Sequence, residues 1–161
     1  MAKNPDPTLK LTTSKGITRS LDDWCTMFHL VLVVLPDRPE AAAWIPVAQR
    51  IFKTFADADC HVAYVVTGPE AIARRILGDE EEQVLTFVDP DFELVKSLGL
   101  VRLPAFVHLR QDTSVGNVAE GWAPGAWQRV ARAVGTAMAW SVPEVTGPGD
   151  PPSTPGWPST H

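Results

Sequence analysis

The chain has 161 residues, of which 45% are hydrophobic and 20% charged, and its formal net charge is −5. This composition is typical of one globular domain, and a negative chain lacks the basic surface that nucleic acid or an anionic membrane requires. The longest apolar run, Phe28 to Leu35, is interrupted by His29 and is much shorter than the roughly 20 residues that cross a bilayer. The polar start, residues 1–16, has no apolar core of a secretion signal. We therefore expect a cytoplasmic protein with no transmembrane segment of its own.

The predicted elements begin with a polar, extended N-terminal arm, residues 1–15. Short runs rich in β-branched residues predict strands at 17–19, 28–35, 61–67, 84–88, 105–109 and 115–120. Apolar periodicity and capping residues predict helices at 40–56, 70–77, from Asp91 to Gly99, and at 126–140. Pro46 lies inside the first of these helices and is expected to kink it, because proline removes one backbone hydrogen bond.

Strands that alternate with helices imply right-handed β-α-β crossovers and a mostly parallel sheet, which a final hairpin makes mixed. We predict an α/β fold over residues 16–141, a three-layer sandwich with a mixed sheet of about five strands flanked by helices. Residues 142–161 are rich in proline and glycine and cannot bury enough apolar surface to fold alone. We predict that they form an extended or disordered Pro-rich tail.

Several polar residues have a structural interpretation. Three histidines lie in or beside strands without ligand spacing and are interpreted as packed side chains: His29, His61 and His108. Asp89 and Asp91 flank a proline in a turn and predict helix caps. Glu80–Glu82 predicts a solvated acidic face, with a basic partner surface as the alternative.

Only two cysteines occur, Cys25 and Cys60. They form no Cys-x-x-Cys pair and no Cys/His cluster with zinc spacing, so we expect neither a metal site nor a cofactor. Buried, inert thiols are the interpretation we favour, and a disulfide between the two is the alternative.

The segment 87–109, FVDPDFELVKSLGLVRLPAFVHL, resembles the strand–helix–glycine–proline–strand segment that carries the cis-proline of the thioredoxin superfamily. Pro104 would be that proline, with Leu103 before it. The segment 121–127, GWAPGAW, resembles the glycine, loop and final helix of the same superfamily, and the start of the chain is similar to its peroxiredoxin and cytochrome-maturation branch. The resemblance implies a thioredoxin-like fold over roughly residues 10–140.

The chain departs from this pattern where redox chemistry would take place. Redox members of the superfamily place cysteine at the N-terminus of the helix after the first central strand, where the helix dipole lowers the thiol pKa. Aligning Pro46 with the helix proline of the superfamily puts Arg38-Pro39-Glu40-Ala41 in that position, with no thiol. We therefore predict that the chain is not an enzyme and has no catalytic residues.

The resemblance also implies a surface beside the cis-proline that binds extended peptide. We predict that this surface binds protein through eight residues: Arg38, Glu40, Trp44, Leu103, Pro104, Trp122, Trp127 and Trp157. Trp157 lies in the Pro-rich tail, which would give a second attachment to the partner. The alternative is a disordered tail with an incidental tryptophan.

Our first functional hypothesis is an accessory or scaffolding subunit of a larger protein assembly. Small thioredoxin-like chains of this composition resemble accessory factors on the cytoplasmic side of actinobacterial respiratory supercomplexes, which implies a membrane-embedded cytochrome bcc–aa3 partner. One alternative is a thiol reductase or peroxidase that uses Cys25 or Cys60. Another is a chaperone-like binder of unfolded chains.

Overall fold

The computed structural model of the chain describes residues 2–160, so Met1 and His161 lie outside the described residues. Its strands are β1 (Lys10–Thr13), β2 (Thr18–Ser20), β3 (His29–Leu35), β4 (Cys60–Val66), β5 (Leu85–Val88), β6 (Arg102–Leu103), β7 (Ala105–Leu109), β8 (Val115–Glu120) and β9 (Trp157–Pro158). Its helices are α1 (Leu21–Cys25), a 3-10 helix (Pro39–Trp44), α2 (Ile45–Phe55), α3 (Glu70–Leu77), α4 (Glu80–Gln83), α5 (Glu93–Leu98) and α6 (Pro124–Ala137).

The central sheet has seven strands in the order β2-β1-β5-β4-β3-β7-β8. Strands β3, β4 and β5 are parallel, whereas β1 and β7 join them antiparallel. The predicted mixed α/β sandwich is therefore confirmed, with seven strands where about five were expected. A separate antiparallel pair joins β6 to β9.

Strand β1 lies inside the segment that was expected to be an extended arm. Thr12 pairs with Val88 of β5, and Leu11 is buried in the core. A four-residue strand with one buried apolar side chain shows too little alternation to predict from sequence. The arm before the sheet therefore ends at Leu9 and not at residue 15.

The apolar run of β3 is continuous because both of its faces are covered. Val31, Val33 and Leu35 face a core cluster formed with the 3-10 helix and with α2, α3 and α6. The alternate residues of the strand, Leu30, Leu32 and Val34, face a second cluster formed with α1 and α5. Helices on both faces of a mostly parallel core give the three predicted layers.

The predicted helix at 40–56 is divided between Trp44 and Ile45, just before Pro46. A 3-10 helix ends at Trp44, and Pro46 lies in the first turn of α2, where its missing N–H leaves no unpaired donor. The Arg38–Ala41 segment, which begins the 3-10 helix, lies shortly after the carboxyl end of β3.

The Pro-rich tail packs against the domain in an extended form. Val145 is fully buried in the cluster with α2 and α6, and Gln128 on α6 donates to the Pro143 carbonyl and accepts from the Val145 amide. Arg50 on α2 holds Asp150 through a 2.5 Å ion pair. Among residues 2–160, none of the helices combines the length and the apolar character needed to cross a bilayer.

Candidate functional site

The segment Arg38–Ala41 begins the 3-10 helix at the carboxyl end of β3. Arg38 is extended (φ −141°, ψ 151°), and Pro39 follows it in the first helical turn. The Arg38 Nε donates to Glu40 Oε2 at 2.8 Å, and both side chains are exposed. This hydrogen bond lowers the pKa of the Glu40 carboxyl. The segment that the resemblance aligns with the redox motif therefore carries a surface ion pair.

The Leu103–Pro104 peptide bond is cis, as the resemblance implies. Both residues are buried, and the Pro104 carbonyl accepts a hydrogen bond from the Gly121 amide at 2.8 Å. Because Ala105 pairs with Val34 near the end of β3, the cis-proline lies at the same sheet edge as Arg38. The fold thus brings together two segments that lie more than 60 residues apart in sequence.

The tail returns to this edge and pairs with it. Leu103 of β6 pairs antiparallel with Trp157 of β9, and Arg102 pairs with Pro158. The Trp157 ring lies beneath the Arg38 guanidinium, whose carbon is 4.7 Å from the ring centroid. Its other neighbour is Trp44, which it meets edge to face with centroids 5.6 Å apart.

Trp122 fixes the tail upstream of this pair. Its backbone N–H donates to the Thr154 carbonyl at 2.8 Å, and the Thr154 N–H donates to the Trp122 carbonyl at 2.9 Å. The Trp122 indole also donates to the Pro151 carbonyl at 2.8 Å. Trp127 lies beneath it in the core, in edge contact with Trp122, and its indole donates to the Gly121 carbonyl.

The structure therefore places most of the sequence-predicted residues at one surface. We call the surface formed by Arg38, Trp44, Leu103, Pro104 and Trp122 the cis-proline surface. It is covered by residues 154–159, which we call the tail segment. Of the other predicted residues, Glu40 lies at the rim beside Arg38, Trp127 supports Trp122 from the core, and Trp157 belongs to the tail segment.

Sequence reasoning missed the residues of the tail segment other than Trp157. Ser159 is buried; its N–H donates to the Val101 carbonyl at 2.9 Å and its Oγ to the Leu100 carbonyl at 2.6 Å. Thr154 forms the bridge to Trp122. The repeated prolines pointed to an extended tail, but composition carries no information about where such a tail docks.

The two thiols lie at the opposite end of the sheet. Cys60 is the register partner of His29, at the start of both β4 and β3. Cys25 is buried in the cluster with α1 and α5, whereas Cys60 packs at the other face, and both are free. Burial raises the pKa of the Cys25 thiol to about 12 and that of Cys60 to about 11. These positions favour the unpaired thiols that we expected over the disulfide.

Two histidines form a pair near the same end. His29 Nδ1 and His108 Nε2 share a 2.9 Å hydrogen bond, and His108 is 1% exposed. Burial, followed by the neighbouring His29 and Arg110, lowers the pKa of His108 to about 4. Burial also lowers the pKa of His29 and His61. The packed interpretation of these side chains agrees with this geometry.

The acidic segment before β5 is not a solvated face throughout. Glu81 in α4 is 3% exposed, and its Oε1 accepts from Ser14 Oγ at 2.5 Å. Arg74 Nε lies 3.9 Å from the second carboxylate oxygen. Glu81 thus ties α4 to the end of β1, which corrects the expectation for this residue, while Glu82 is exposed.

The part of the chain that the structure describes shows no cluster of metal ligands. Residues 2–160 contain no group of three or more His, Cys, Asp and Glu side chains placed to hold an ion. Asp89 is instead a helix cap, because its carboxylate accepts from the amides of Leu94 and Val95 at 3.1–3.2 Å. Its burial raises the pKa of this carboxyl.

Comparison with solved structures shows which fold this is. MTB DsbF, solved in mixed oxidised and reduced forms, superposes with a TM-score of 0.65 at 15% identity over 82% of this chain and 96% of that one. Peroxiredoxin Q from Xanthomonas campestris superposes with a TM-score of 0.63 at 14% identity over 81% and 89%. The fold is thioredoxin-like. No family model and no curated protein sequence matches the chain.

A third similar structure bears on location. It is a secreted Mycobacterium tuberculosis disulfide oxidoreductase homologous to E. coli DsbE, with a TM-score of 0.61 at 14% identity over 80% of this chain and 96% of that one. Because this protein of similar fold is secreted, the fold does not assign the present chain to a compartment. The cytoplasmic location stays a prediction.

The prediction that the chain is not an enzyme, which was drawn from the absence of a thiol at Arg38–Ala41, is contradicted by the similar structures. The similar structures include a disulfide oxidoreductase and a peroxiredoxin, which are enzymes. The absence of a thiol at Arg38–Ala41 is a property of that segment and does not show that the rest of the chain lacks catalytic residues. The sequence does hold two cysteines, although they do not form a Cys-x-x-Cys motif.

Proposed function

We propose that this thioredoxin-like chain is an accessory subunit that binds an extended segment of a partner protein at the cis-proline surface. The observation that carries the proposal is the antiparallel pairing of Leu103 with Trp157. It indicates that the backbone before Pro104 accepts an extended strand and that Arg38 and Trp44 accept its side chain. Strand addition of this kind gives affinity through main-chain hydrogen bonds and selectivity through side-chain sites.

The composition of the surface also supports binding of protein. Tryptophan and arginine are the residues that dominate the energetics of protein interfaces. Trp44 and Trp122 are almost fully buried, and the Trp122 indole donates to the Pro151 carbonyl, whereas Arg38 is exposed at the rim. Tryptophan has few rotatable bonds and loses little side-chain entropy when a ligand binds.

The proposal is tested by site-specific photocrosslinking in the native host. A photoreactive amino acid replaces Arg102, which is exposed beside Leu103, and in a matched variant it replaces Gln111 at the far end of the sheet. We expect the Arg102 position to crosslink repeatedly to one protein, with the crosslink mapping to an extended segment of that protein. Equal crosslinking from both positions, or none from Arg102, refutes the proposal.

The partner assembly that we propose first is the cytoplasmic side of an actinobacterial cytochrome bcc–aa3 supercomplex. This proposal rests on the resemblance in size and composition to accessory factors of such supercomplexes. Mass spectrometry of the Arg102 crosslink tests it directly, because a supercomplex subunit must then be the crosslinked protein. A crosslink to an unrelated protein removes this partner and leaves the binding function in place, and crosslinks spread over many unfolded chains favour a chaperone-like binder.

A thiol-dependent activity at Cys60 is a second candidate. It is favoured by the oxidoreductase and peroxiredoxin among the similar structures and by the partial exposure of Cys60. The thiol pKa of about 11 works against it, because only about 0.01% of such a thiol is ionised at pH 7. Alkylation rates measured from pH 6 to 10 decide: a rate that levels off below pH 8 supports the enzyme, and a rate that still rises at pH 10 removes it.

A further inference from the structure

The tail segment crosses the whole cis-proline surface and is held at three points. Thr154 bridges to Trp122, Trp157 pairs with Leu103, and Ser159 donates to the Val101 carbonyl. Most of these contacts use backbone atoms. Backbone pairing accepts many sequences, so selectivity must come from positions where a side chain is required or forbidden.

Gly156 is the position where a side chain is forbidden. Its φ is +77°, in the left-handed region that favours glycine. A Cβ built on Gly156 would lie far inside the van der Waals radius of the Leu103 carbonyl oxygen and 3.3 Å from Pro104 Cδ. The obstacle is rigid backbone on the cis-proline surface itself, so any segment that follows this path needs glycine here.

Trp157 is the position where an aromatic side chain is required. Its ring lies between a cation and the edge of another ring, Arg38 at 4.7 Å and Trp44 at 5.6 Å. The Arg38 guanidinium is held by Glu40, which fixes the cation over the ring face. An aliphatic side chain offers neither a π face to a cation nor a ring to the Trp44 edge.

The tail segment also has the properties of an occupant that can leave. Pro155 and Pro158 are exposed, and Trp157 is only partly buried. Prolines keep a released segment extended, so little conformational entropy separates the free and docked forms. Upstream, Val145 and Asp150 stay anchored by contacts of their own.

We infer that the cis-proline surface selects an extended segment in which glycine precedes an aromatic residue, and that residues 154–159 are an internal copy of such a segment, which a partner's segment displaces. The inference rests on the proposed function and names the partner's chemistry. It assigns Gly156 and Trp157 a recognition role within the chain's own sequence.

The test uses the full chain with Gly156→Ala, which blocks docking of the tail segment and leaves the cis-proline surface intact. The matched control is Gly149→Ala, because Gly149 also has a positive φ (+82°) but nothing within 4 Å of its Cβ position. The probe is a fluorescein-labelled peptide, PPSTPGWPST, followed by anisotropy. We expect Gly156→Ala to bind the peptide at least about tenfold more tightly than the wild type and Gly149→Ala, a difference of about 1.4 kcal/mol.

Two further peptides test the selectivity. Replacing glycine by alanine, or tryptophan by leucine, in the labelled peptide should each weaken binding to the Gly156→Ala protein at least about tenfold. A chain that ends after Ser153 is the second variant, and it should bind the parent peptide as Gly156→Ala does. Equal affinities of wild type and Gly156→Ala, equal affinities of the three peptides, or no binding to either folded variant overturns the inference.

This outcome is separable from the fate of the proposed function. If the Gly156→Ala protein does not bind the peptide but still crosslinks to its partner from position 102, the inference is refuted and the proposed function stands. Peptide binding without any partner crosslink refutes the function and keeps the selectivity.

Discussion

Replacing Trp157 by alanine should release the tail segment without unfolding the domain. The substitution removes the face that Arg38 covers, worth about 0.5–1 kcal/mol at an exposed site. It also removes the edge contact with Trp44, worth about 0.5–1.5 kcal/mol beyond burial. The two contacts together stabilise the docked tail by about 2 kcal/mol, which is a factor of about 30 in its opening equilibrium.

Native-state hydrogen exchange measures this opening locally. The Ser159 amide is bonded to the Val101 carbonyl, and the Trp122 amide is bonded to the Thr154 carbonyl, so both report the docked tail. In Trp157→Ala we expect both amides to exchange about 30-fold faster, while the amides of β3 keep their protection, because exchange free energies differ between local and global openings.

Trp140→Ala is the control of the same residue type. Trp140 is 41% exposed, and its indole donates to the Thr54 carbonyl on α2, away from the cis-proline surface. It should leave the Ser159 and Trp122 amides unchanged. Unchanged exchange at Ser159 in Trp157→Ala would refute the reasoning, and so would equal acceleration throughout β3, since the tail would then open only with the whole domain.

Three further substitutions test contacts that hold the fold elsewhere in the domain. Between pH 6.5 and 4 the unfolded chain binds a proton at residue 108, whereas buried His108 in the folded chain stays neutral, so stability falls as the pH is lowered. His108→Leu should reduce this loss in the free energy of urea unfolding by up to about 3 kcal/mol. An unchanged dependence of the unfolding free energy on pH contradicts this. Asp89→Ala should lower the free energy of unfolding at pH 7 by about 1 kcal/mol, as the α5 amides lose their acceptor, and an increase would show that relief of the buried charge dominates. Glu81→Ala should cost about 1–3 kcal/mol in thermal or urea unfolding, because it leaves the buried Ser14 hydroxyl without its acceptor, whereas exposed Glu82→Ala should cost little.

The parts of the fold that could be predicted from the sequence are those in which local pattern and tertiary environment agree. The β3 run is apolar from Leu30 to Leu35 because both faces of the strand are buried, and such a run is typical of a central parallel strand. Pro104 could be placed because the segment 87–109 resembles the strand–helix–glycine–proline–strand segment of the thioredoxin superfamily. These two features position the cis-proline surface.

The parts that could not be predicted depend on contacts between distant segments. Lys10–Thr13 is a strand because β5 offers it an edge, not because of its own composition. Glu81 is buried because Ser14 and Arg74 lie over it, although its acidic neighbours Glu80 and Glu82 are half-buried and exposed. The docking of Gly156 against Leu103 is decided by a close approach of two backbones, and nothing in the sequence distinguishes Gly156 from Gly147 and Gly149 in the same tail.

The anchoring of the tail determines which partners can reach the cis-proline surface. Asp150 is held by Arg50 and by the Gly147 amide, only four residues before Thr154, so a released tail segment stays tethered beside its own site. A tether this short gives an effective concentration on the order of millimolar, and a free peptide at micromolar concentration therefore loses to the tail unless its intrinsic affinity is far higher. A partner that also contacts another face of the domain gains the same tethering advantage. The cis-proline surface of the wild-type chain should thus respond to a partner already assembled with it, as an accessory subunit requires, and not to dilute peptides in solution.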